Sequence, residues 1–298
     1  MGKTKPQNGH KPDSSRGLKN IESFWLAPSP SKRWGELFFL AYSPVWIILC
    51  LGIIVPLGLY ERFGKLEYFV LGLIVALPCF LLPLIIVSKE DKSKPWYSRY
   101  WAKANVWIGI FGFVGNYFWT HYFYTVLGAT YTFPSWRLNN VPLTTYFLTH
   151  AYFLFYHMIS NMTLRRLRHA IHNIPSRVLR LFIQSAWIFI LSYLTAFMEA
   201  LTIANFPYYQ IVNREVFYKV GSLFYAMYFL VSFPMFSRVD EMLSNEWTIS
   251  QTSIDSLGAA MLVTILLDLW RILIGPIVTM PNTQTYKQCL AYGLPWLA

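Results

Sequence analysis

Apolar residues are gathered into seven blocks of about twenty residues or more, and this clustering confines the chain to a membrane-embedded fold. The blocks lie near residues 36–60, 66–88, 104–127, 143–162, 178–204, 216–236 and 254–278. An α-helix rises about 1.5 Å per residue, so each block can cross a hydrocarbon core of about 30 Å. Only 13% of the residues are charged, whereas about 25% is usual in soluble domains. The sequence therefore predicts an all-α, polytopic membrane helix bundle with about seven transmembrane helices.

Polar segments flank this bundle at both ends. Residues 1–33 are rich in Lys, Pro, Ser and Asn, and we expect a disordered, basic cytosolic tail. Residues 34–280 are predicted to form a single transmembrane helical domain, and residues 281–298 a short C-terminal tail. Because a polar stretch precedes the first apolar block, that block is expected to remain as an anchor and not to be cleaved as a signal peptide.

Lys and Arg residues are distributed unevenly between the two sides of the predicted bundle. The N-terminal tail and the loops at 89–103, 163–180 and 237–253 hold 18 of them, and the opposite side holds 6. Cytosolic loops retain positive charge, so we expect a cytosolic N-terminus. Membrane orientation then explains the net charge of +11, and no nucleic-acid partner is expected. The basic run at 163–169 is interpreted in the same way, as a contact with lipid headgroups.

Motifs for metals, disulfides and nucleotides are missing from the sequence. Cys50, Cys79 and Cys289 are not at ligand spacing, and two of them lie in apolar blocks. No GxGxxG, P-loop, HExxH or GxSxG pattern occurs. We therefore expect no disulfide framework, no bound metal and no cofactor.

The fifth apolar block contains an acid, Glu199. Its neighbours at helical spacing are polar, and they predict one stripe that faces the bundle interior: Ser185, Ser192, Thr195 and Thr202. No Lys or Arg in the block is placed to neutralise the carboxylate, and a desolvated carboxyl group without a cation stays protonated. Glu199 is therefore a candidate proton donor. The alternative is a hydrogen-bonding group that holds two helices together.

Two further blocks contain ionisable residues. Asp268 lies near the middle of the last block, three residues before Arg271, and pairing would keep it charged as a counter-charge or base. His150, His157 and Asn161 share one face of the fourth block, where they could relay protons or bind a hydroxyl group. A structural ion pair and ordinary buried hydrogen bonds are the alternatives.

Candidates for substrate binding come from several blocks. The third block contains His121, with Asn116, Tyr117 and Trp119 close before it, and the sixth contains Tyr225. Asn161 of the fourth block completes this set. Aromatic rings can stabilise a passing cation, although aromatic belts at membrane interfaces explain many such residues.

Eight strings resemble, in order along the chain, the cycloeucalenol cycloisomerase family, also called cyclopropyl sterol isomerases. They are SKRWGELFF (31–39), GNYFWTHYF (115–123), TYTFPSW (130–136), NNVPLTTYFLTH (139–150), TLRRLRH (163–169), IANFPYY (203–209), DSLGAAMLVT (255–264), and LDLWR with GPIV (267–278). The resemblance runs from about residue 24 to the C-terminus.

This resemblance implies a multi-pass enzyme of the endoplasmic reticulum membrane in plants. Such an enzyme converts cycloeucalenol to obtusifoliol without a cofactor: a proton reaches the bridging methylene of the cyclopropane ring, charge develops at C9, and a proton leaves C8. Glu199 matches the proton donor, and Asp268, His150 and His157 are candidates for stabiliser and base. The expected partners are a sterol and the lipid bilayer, and the oligomeric state is left open. A sterol-binding or sterol-transport protein without catalysis is the alternative.

Overall fold

Seven long helices dominate the computed structural model, which describes residues 25–203 and 206–279. They are α1 (Pro30–Ile47), α2 (Lys65–Ile85), α3 (Tyr100–Val114), α4 (Leu143–Ala170), α5 (Arg177–Ile203), α6 (Ser222–Phe236) and α7 (Ile249–Leu273). Each of them overlaps one of the seven apolar blocks. The prediction of a mainly helical fold is therefore confirmed.

Wider π-helical turns extend three of these helices, and short helical turns lie between others. The π-helical segments are Ile48–Ile54 after α1, Gly115–Trp119 and Phe123–Leu127 after α3, and Phe217–Gly221 before α6. The short α-helical pieces are Thr120–Tyr122 and Arg214–Val216, and the 3₁₀ turns are Leu59–Glu61 and Trp96–Ser98. π-helical turns are frequent at functional sites, and three of these segments contribute residues to the cavity described below.

Within residues 25–203 and 206–279, five helical segments are long and apolar enough to cross a membrane: Pro30–Ile54, Lys65–Ile85, Arg177–Ile203, Arg214–Phe236 and Ile249–Leu273. The α4 helix is longer than predicted, because its regular backbone continues past residue 162 into the basic run and ends at Ala170. The α7 helix begins five residues before its predicted start. There the Thr248 hydroxyl accepts a hydrogen bond from the Gln251 backbone amide, and this capping box fixes the first turn.

The α4 helix is the centre of the bundle. It packs against α1, α2, α3, α5 and α6, and α3 and α6 are also buried along most of their lengths. The helices α2, α5 and α7 expose many Leu, Ile and Val side chains on their outer faces. In a membrane, this outer surface faces lipid, while the polar side chains of the inner helices are shielded from it.

Two small antiparallel sheets lie at the end of the bundle where α3 and α5 finish. One pairs β1 (Ala129–Tyr131) with β4 (Tyr209–Ile211), and the other pairs β2 (Arg137–Leu138) with β3 (Val141–Pro142). Gly128 precedes β1 with a φ angle of +62°, and an added Cβ would lie 2.7 Å from Val212. This position therefore requires glycine for both its backbone conformation and its packing.

The last residues of the predicted N-terminal tail, 30–33, belong to the α1 helix, which begins at Pro30. Lys32 is fully buried there, and its ammonium group donates hydrogen bonds to the backbone oxygens of Ser237 and Val239, at 3.0 and 2.6 Å. The rest of that tail (1–24), nearly all of the predicted C-terminal tail, and Cys289 lie outside the described residues.

Candidate active site

A cavity opens between α3, α4, α5 and α6, beneath the β1–β4 sheet. Its enclosed volume is about 70 Å³. Its walls are mainly aromatic and aliphatic. The polar groups other than tyrosines in the lining are Asn116, Thr120, Thr149, Glu199 and Ser222. The wall of the cavity is therefore suited to apolar parts of a ligand, with few polar groups to contact.

Glu199 is the one ionisable Asp, Glu, His, Lys or Arg among the described lining residues of this cavity. It lies near the C-terminal end of α5 and is half-buried. Its Oε2 accepts a hydrogen bond of 2.8 Å from the hydroxyl of Tyr225 on α6. No ion pair of Glu199 is found among the described residues. A neutral carboxylic acid costs less than a carboxylate in such surroundings.

The packing of α5 on α6 brings Glu199 to the cavity. The residues Ser192, Ala196 and Ala200 are buried and recur every four positions, so their small side chains let the two helices approach closely. The predicted polar stripe is only partly internal, since Ser185 and Thr202 at its ends are exposed. The tight contact begins two turns after Ser185, which explains this difference.

Tyrosines of the β1–β4 sheet close one end of the cavity. Tyr131 and Tyr209 are register partners in this sheet, and both line the cavity. Burial raises the pKa of Tyr131 and of Tyr209 above the usual range of a phenol. Both side chains therefore stay neutral hydroxyls at physiological pH and cannot act as phenolate bases. Neither residue was predicted as a site residue, because strand pairing between positions about 80 apart leaves no local signal in the sequence.

Two predicted substrate-binding residues lie in the cavity wall. Tyr225 contacts Glu199 as described, and its ring packs against Phe123 and Tyr228 with centroid distances of 5.3 and 4.8 Å. Asn116 lines the cavity from the first π-helical turn after α3, and its amide donates to the Gly112 carbonyl at 2.8 Å. The described structure thus brings Glu199, Tyr225 and Asn116 together.

His150 and His157 are both buried but do not line the cavity. The Nε2 of His150 donates to Asn105 Oδ1 at 2.7 Å, and its ring stacks on Phe80. The Nδ1 of His157 donates to the Phe153 carbonyl at 2.6 Å, and its Nε2 accepts from the Ser232 hydroxyl at 2.9 Å. With both nitrogens engaged, His157 is arranged as a neutral hydrogen-bonding side chain of the core.

Asp268 also lies away from the cavity lining. Its Oδ1 accepts hydrogen bonds from Arg271 Nε at 3.0 Å and from the Tyr122 hydroxyl at 3.2 Å, and its side chain is 35% exposed. The expected ion pair within α7 is therefore present. One turn earlier, Thr264 accepts from the indole of Trp119 at 2.8 Å, so Trp119 links α3 to α7 and does not face the cavity.

The remaining predicted residues of the third block lie outside the cavity lining as well. His121 is 1% exposed, and its ring packs edge-on against Tyr124. Tyr117 stacks on Phe113, and its backbone oxygen accepts from Asn139 at 2.7 Å. These contacts support the loop between β2 and β3 rather than a ligand.

Asn161 belongs to a buried ionic cluster at the opposite end of the bundle. This cluster consists of Lys32, Glu36, Asn161, Arg165 and Glu241. Arg165 Nη2 lies 2.8 Å from Glu36 Oε1, and its Nε lies 2.7 Å from Glu241 Oε1. Lys32 pairs with Glu241 at 2.8 Å, and the Asn161 amide donates to Glu36 at 3.1 Å. The two cations and two acids balance, as a buried ionic group requires.

The position of Arg165 corrects the interpretation of the basic run at 163–169. Its side chain is 9% exposed and binds acids of α1 and of the loop after α6, so it does not contact lipid headgroups. Lys103 and Asp240 form a second buried pair, with 2.7 Å between nitrogen and oxygen. Arg165 and Lys103, which were counted among the basic residues of the predicted cytosolic side, therefore connect helices by buried ion pairs.

The hydrogen bonds to Glu241 also change its acidity. Burial alone would raise the pKa of Glu241, but the hydrogen bonds from Arg165 and the charge of Lys32 outweigh burial and lower it. No three His, Cys, Asp or Glu side chains in the described residues come together as a metal would need. The chemistry available in the cavity is therefore that of one carboxyl group, phenols and aromatic rings.

Comparison with known proteins identifies a close relative. The chain is 59% identical over 276 residues to the cycloeucalenol cycloisomerase of Arabidopsis thaliana. The alignment covers 93% of this chain and 97% of that protein. No protein-family model and no solved structure matches the chain.

Proposed function

The chain belongs to the cycloeucalenol cycloisomerase family, and from this membership we propose that it opens the 9,19-cyclopropane ring of cycloeucalenol-type 4-methylsterols. The product is an 8(9)-unsaturated sterol, obtusifoliol in the case of cycloeucalenol. The protein is thus an isomerase, since substrate and product have the same atoms. The single observation that carries this function is the 59% identity along nearly the whole of both chains.

We propose that Glu199 donates the proton that opens the ring. A cyclopropane is a very weak base, so its protonation needs a neutral, positioned acid in a site that excludes water. Glu199 lies in an apolar cavity beside Tyr225, with no cation paired to it in the described structure. Transfer of its proton to the bridging methylene breaks the bond between that carbon and C9. The methylene becomes a methyl group, and C9 becomes a carbocation.

Loss of a proton from C8 then completes the isomerisation. The electrons of the C8–H bond form the 8(9) double bond, and the Glu199 carboxylate takes up the proton and is regenerated. The hydrogen bond from Tyr225 to Oε2 holds the carboxyl group in place for both proton transfers. The aromatic rings of Phe123, Phe153 and Tyr228 line the cavity, and ring faces stabilise a desolvated cation by about 0.5 to 2 kcal/mol each.

The other predicted catalytic residues fit structural roles better. His150, His157 and Asp268 do not line the cavity, and each of them is hydrogen-bonded to a neighbouring helix or within its own helix. We therefore restrict the proposed catalytic group to Glu199, with Tyr225 as the residue that positions it and Asn116 as a further wall of the substrate site.

We further propose that all seven long helices cross the membrane of the endoplasmic reticulum, with the N-terminus in the cytosol. Five of them qualify by length and hydropathy, and α4 and α3 lie inside the bundle, where the outer helices shield their polar groups. The excess of Lys and Arg at one end supports the orientation. Glycosylation acceptor sites inserted into the loop after β1 would be modified in this orientation.

Conversion of a fed cyclosterol tests the proposed function. The full chain is expressed in cells that lack this activity, cycloeucalenol is supplied, and sterols are analysed by mass spectrometry. We expect obtusifoliol from the wild-type chain, none from Glu199→Gln, and wild-type amounts from Asp268→Asn, which changes the other intramembrane acid. Sterol binding should survive in Glu199→Gln. If the wild-type protein binds the sterol but the three-membered ring stays intact, the protein is a carrier and not an isomerase.

A further inference from the structure

Ser222 contributes a buried hydroxyl group to the cavity wall. It is the first residue of α6, it is 1% exposed, and its Oγ has no hydrogen-bond partner in the described structure. Buried polar groups are nearly always hydrogen-bonded, so an unpaired hydroxyl at a cavity indicates a position that a ligand atom can complete.

Other unpaired hydroxyls do not share this location. In the described part of the chain, Thr130, Thr144, Ser160 and Ser192 are also buried without a partner for the side-chain oxygen. None of these four lines the cavity, whereas Ser222 does. Among these five hydroxyls, only that of Ser222 belongs to a residue that lines the cavity containing Glu199.

Two other donors in the wall are already engaged. The hydroxyl of Tyr225 donates to Glu199, and the amide of Asn116 donates to the Gly112 carbonyl. The hydroxyl of Ser222 can therefore donate to an oxygen atom of a ligand, or accept from it, without breaking a hydrogen bond of the protein.

The spacing along α6 relates Ser222 to the proposed proton donor. Ser222 precedes Tyr225 by three residues, so the two lie on one face of the helix, about 4.5 Å apart along its axis. In a 9,19-cyclosterol, the hydroxyl group is on C3 and the bridging methylene is on C10, at opposite corners of one six-membered ring. The separation of these two groups is comparable to one turn of the helix.

We propose that Ser222 hydrogen-bonds the 3-hydroxyl group of the sterol and thereby sets the bridging methylene beside Glu199. This inference rests on the proposed function, and it makes Ser222 a specificity-determining residue. Sterols with a free 3-hydroxyl group are favoured over analogues that lack it, because those analogues leave the Ser222 hydroxyl unpaired.

The test compares cycloeucalenol with its 3-deoxy analogue in the purified full chain. Wild-type protein should prefer the hydroxyl-bearing substrate by about 3- to 10-fold in kcat/KM, the worth of one neutral hydrogen bond. Ser222→Ala should lose this preference. Ser192→Ala is the matched control, because it removes another fully buried, unpaired hydroxyl outside the cavity, and it should keep the preference. Retention of the preference in Ser222→Ala would overturn the proposal.

Two further outcomes are also decisive. If Ser222→Ala does not accumulate, the two substrates are compared in the wild-type chain alone. Equal kcat/KM for cycloeucalenol and its 3-deoxy analogue would then contradict the proposal. If the wild-type chain converts neither substrate, the proposed function fails instead. Binding of the two sterols to the wild-type protein then tests Ser222, because a 3- to 10-fold weaker affinity for the deoxy analogue is expected whether or not the ring opens.

Discussion

Replacement of Tyr225 by Phe tests the link between the cavity geometry and the proton transfer. The substitution keeps the ring and its contacts with Phe123 and Tyr228, and it removes only the hydroxyl that donates to Glu199 at 2.8 Å. Tyr225 does not donate its hydroxyl proton to the substrate in the proposed mechanism. We therefore expect an effect on the chemical step and little effect on substrate binding.

The size of this effect follows from the charge on the carboxyl group. A hydrogen bond to a neutral group contributes about 1 kcal/mol, and one to a charged group about 1.5 to 3 kcal/mol. Glu199 is neutral before proton transfer and acquires negative charge during it, so only the difference, about 0.5 to 2 kcal/mol, stabilises the transition state. Tyr225→Phe should therefore lower kcat by about 2- to 30-fold and leave KM nearly unchanged.

The assay measures obtusifoliol formation by the purified full chain in lipid nanodiscs, under single-turnover conditions as well as at steady state. Tyr228→Phe is the matched control, because Tyr228 lines the same cavity and its hydroxyl makes no hydrogen bond to Glu199 in the described structure. An unchanged kcat for Tyr225→Phe, or an equal loss in Tyr228→Phe, would refute the reasoning.

Three further predictions concern stability. Glu36→Gln leaves the buried cluster with two cations, Lys32 and Arg165, and one acid, Glu241. This imbalance costs about 3 to 5 kcal/mol, so the thermal midpoint in detergent should fall by several degrees, whereas Glu246→Gln, an exposed control, should change it little. Folding lowers the pKa of Glu241, so the stability that this residue contributes is present above its unfolded pKa of about 4.3 and is lost as the pH falls through its folded pKa. In melting curves from pH 6 to pH 3, the thermal midpoint of Glu241→Gln should therefore fall less than that of the wild-type protein. Gly128→Ala places a Cβ at a φ angle of +62°, and we expect the free energy of unfolding to fall by about 1 to 3 kcal/mol in a denaturant titration. Turnover should also fall, because the β1–β4 sheet closes the cavity. An unchanged unfolding midpoint would contradict this prediction.

Hydropathy was sufficient to predict the helical bundle and the approximate position of all seven helices. Each apolar block is a local property of the chain, because a helix satisfies its backbone hydrogen bonds within one segment. Glu199 was also recognisable as a candidate site residue, since an acid in an apolar helix requires a specific environment wherever that helix packs. Helix ends were less accurate, because the capping box at Thr248 and the continuation of α4 past residue 162 depend on details that hydropathy averages out.

The composition of the cavity wall could not be read from the sequence. His157 and Glu199 are both ionisable residues in apolar helices, yet only Glu199 lines the cavity. His157 instead finds both of its hydrogen-bond partners on α4 and α6. A helical pattern predicts which residues share a face, but the neighbours of that face depend on how the helices pack.

Charge shows the same division between local and tertiary information. The sequence alone determined that this chain is mainly helical with several helices apolar enough to cross a membrane, and the order of its motifs indicated its family. Only the tertiary structure decided that Arg165 binds Glu36 across 129 positions of the chain, and that Tyr131 and Tyr209 meet over Glu199. The physical reason is that backbone hydrogen bonding and hydropathy act within a segment, whereas ion pairs and cavity walls form between residues that only folding brings together.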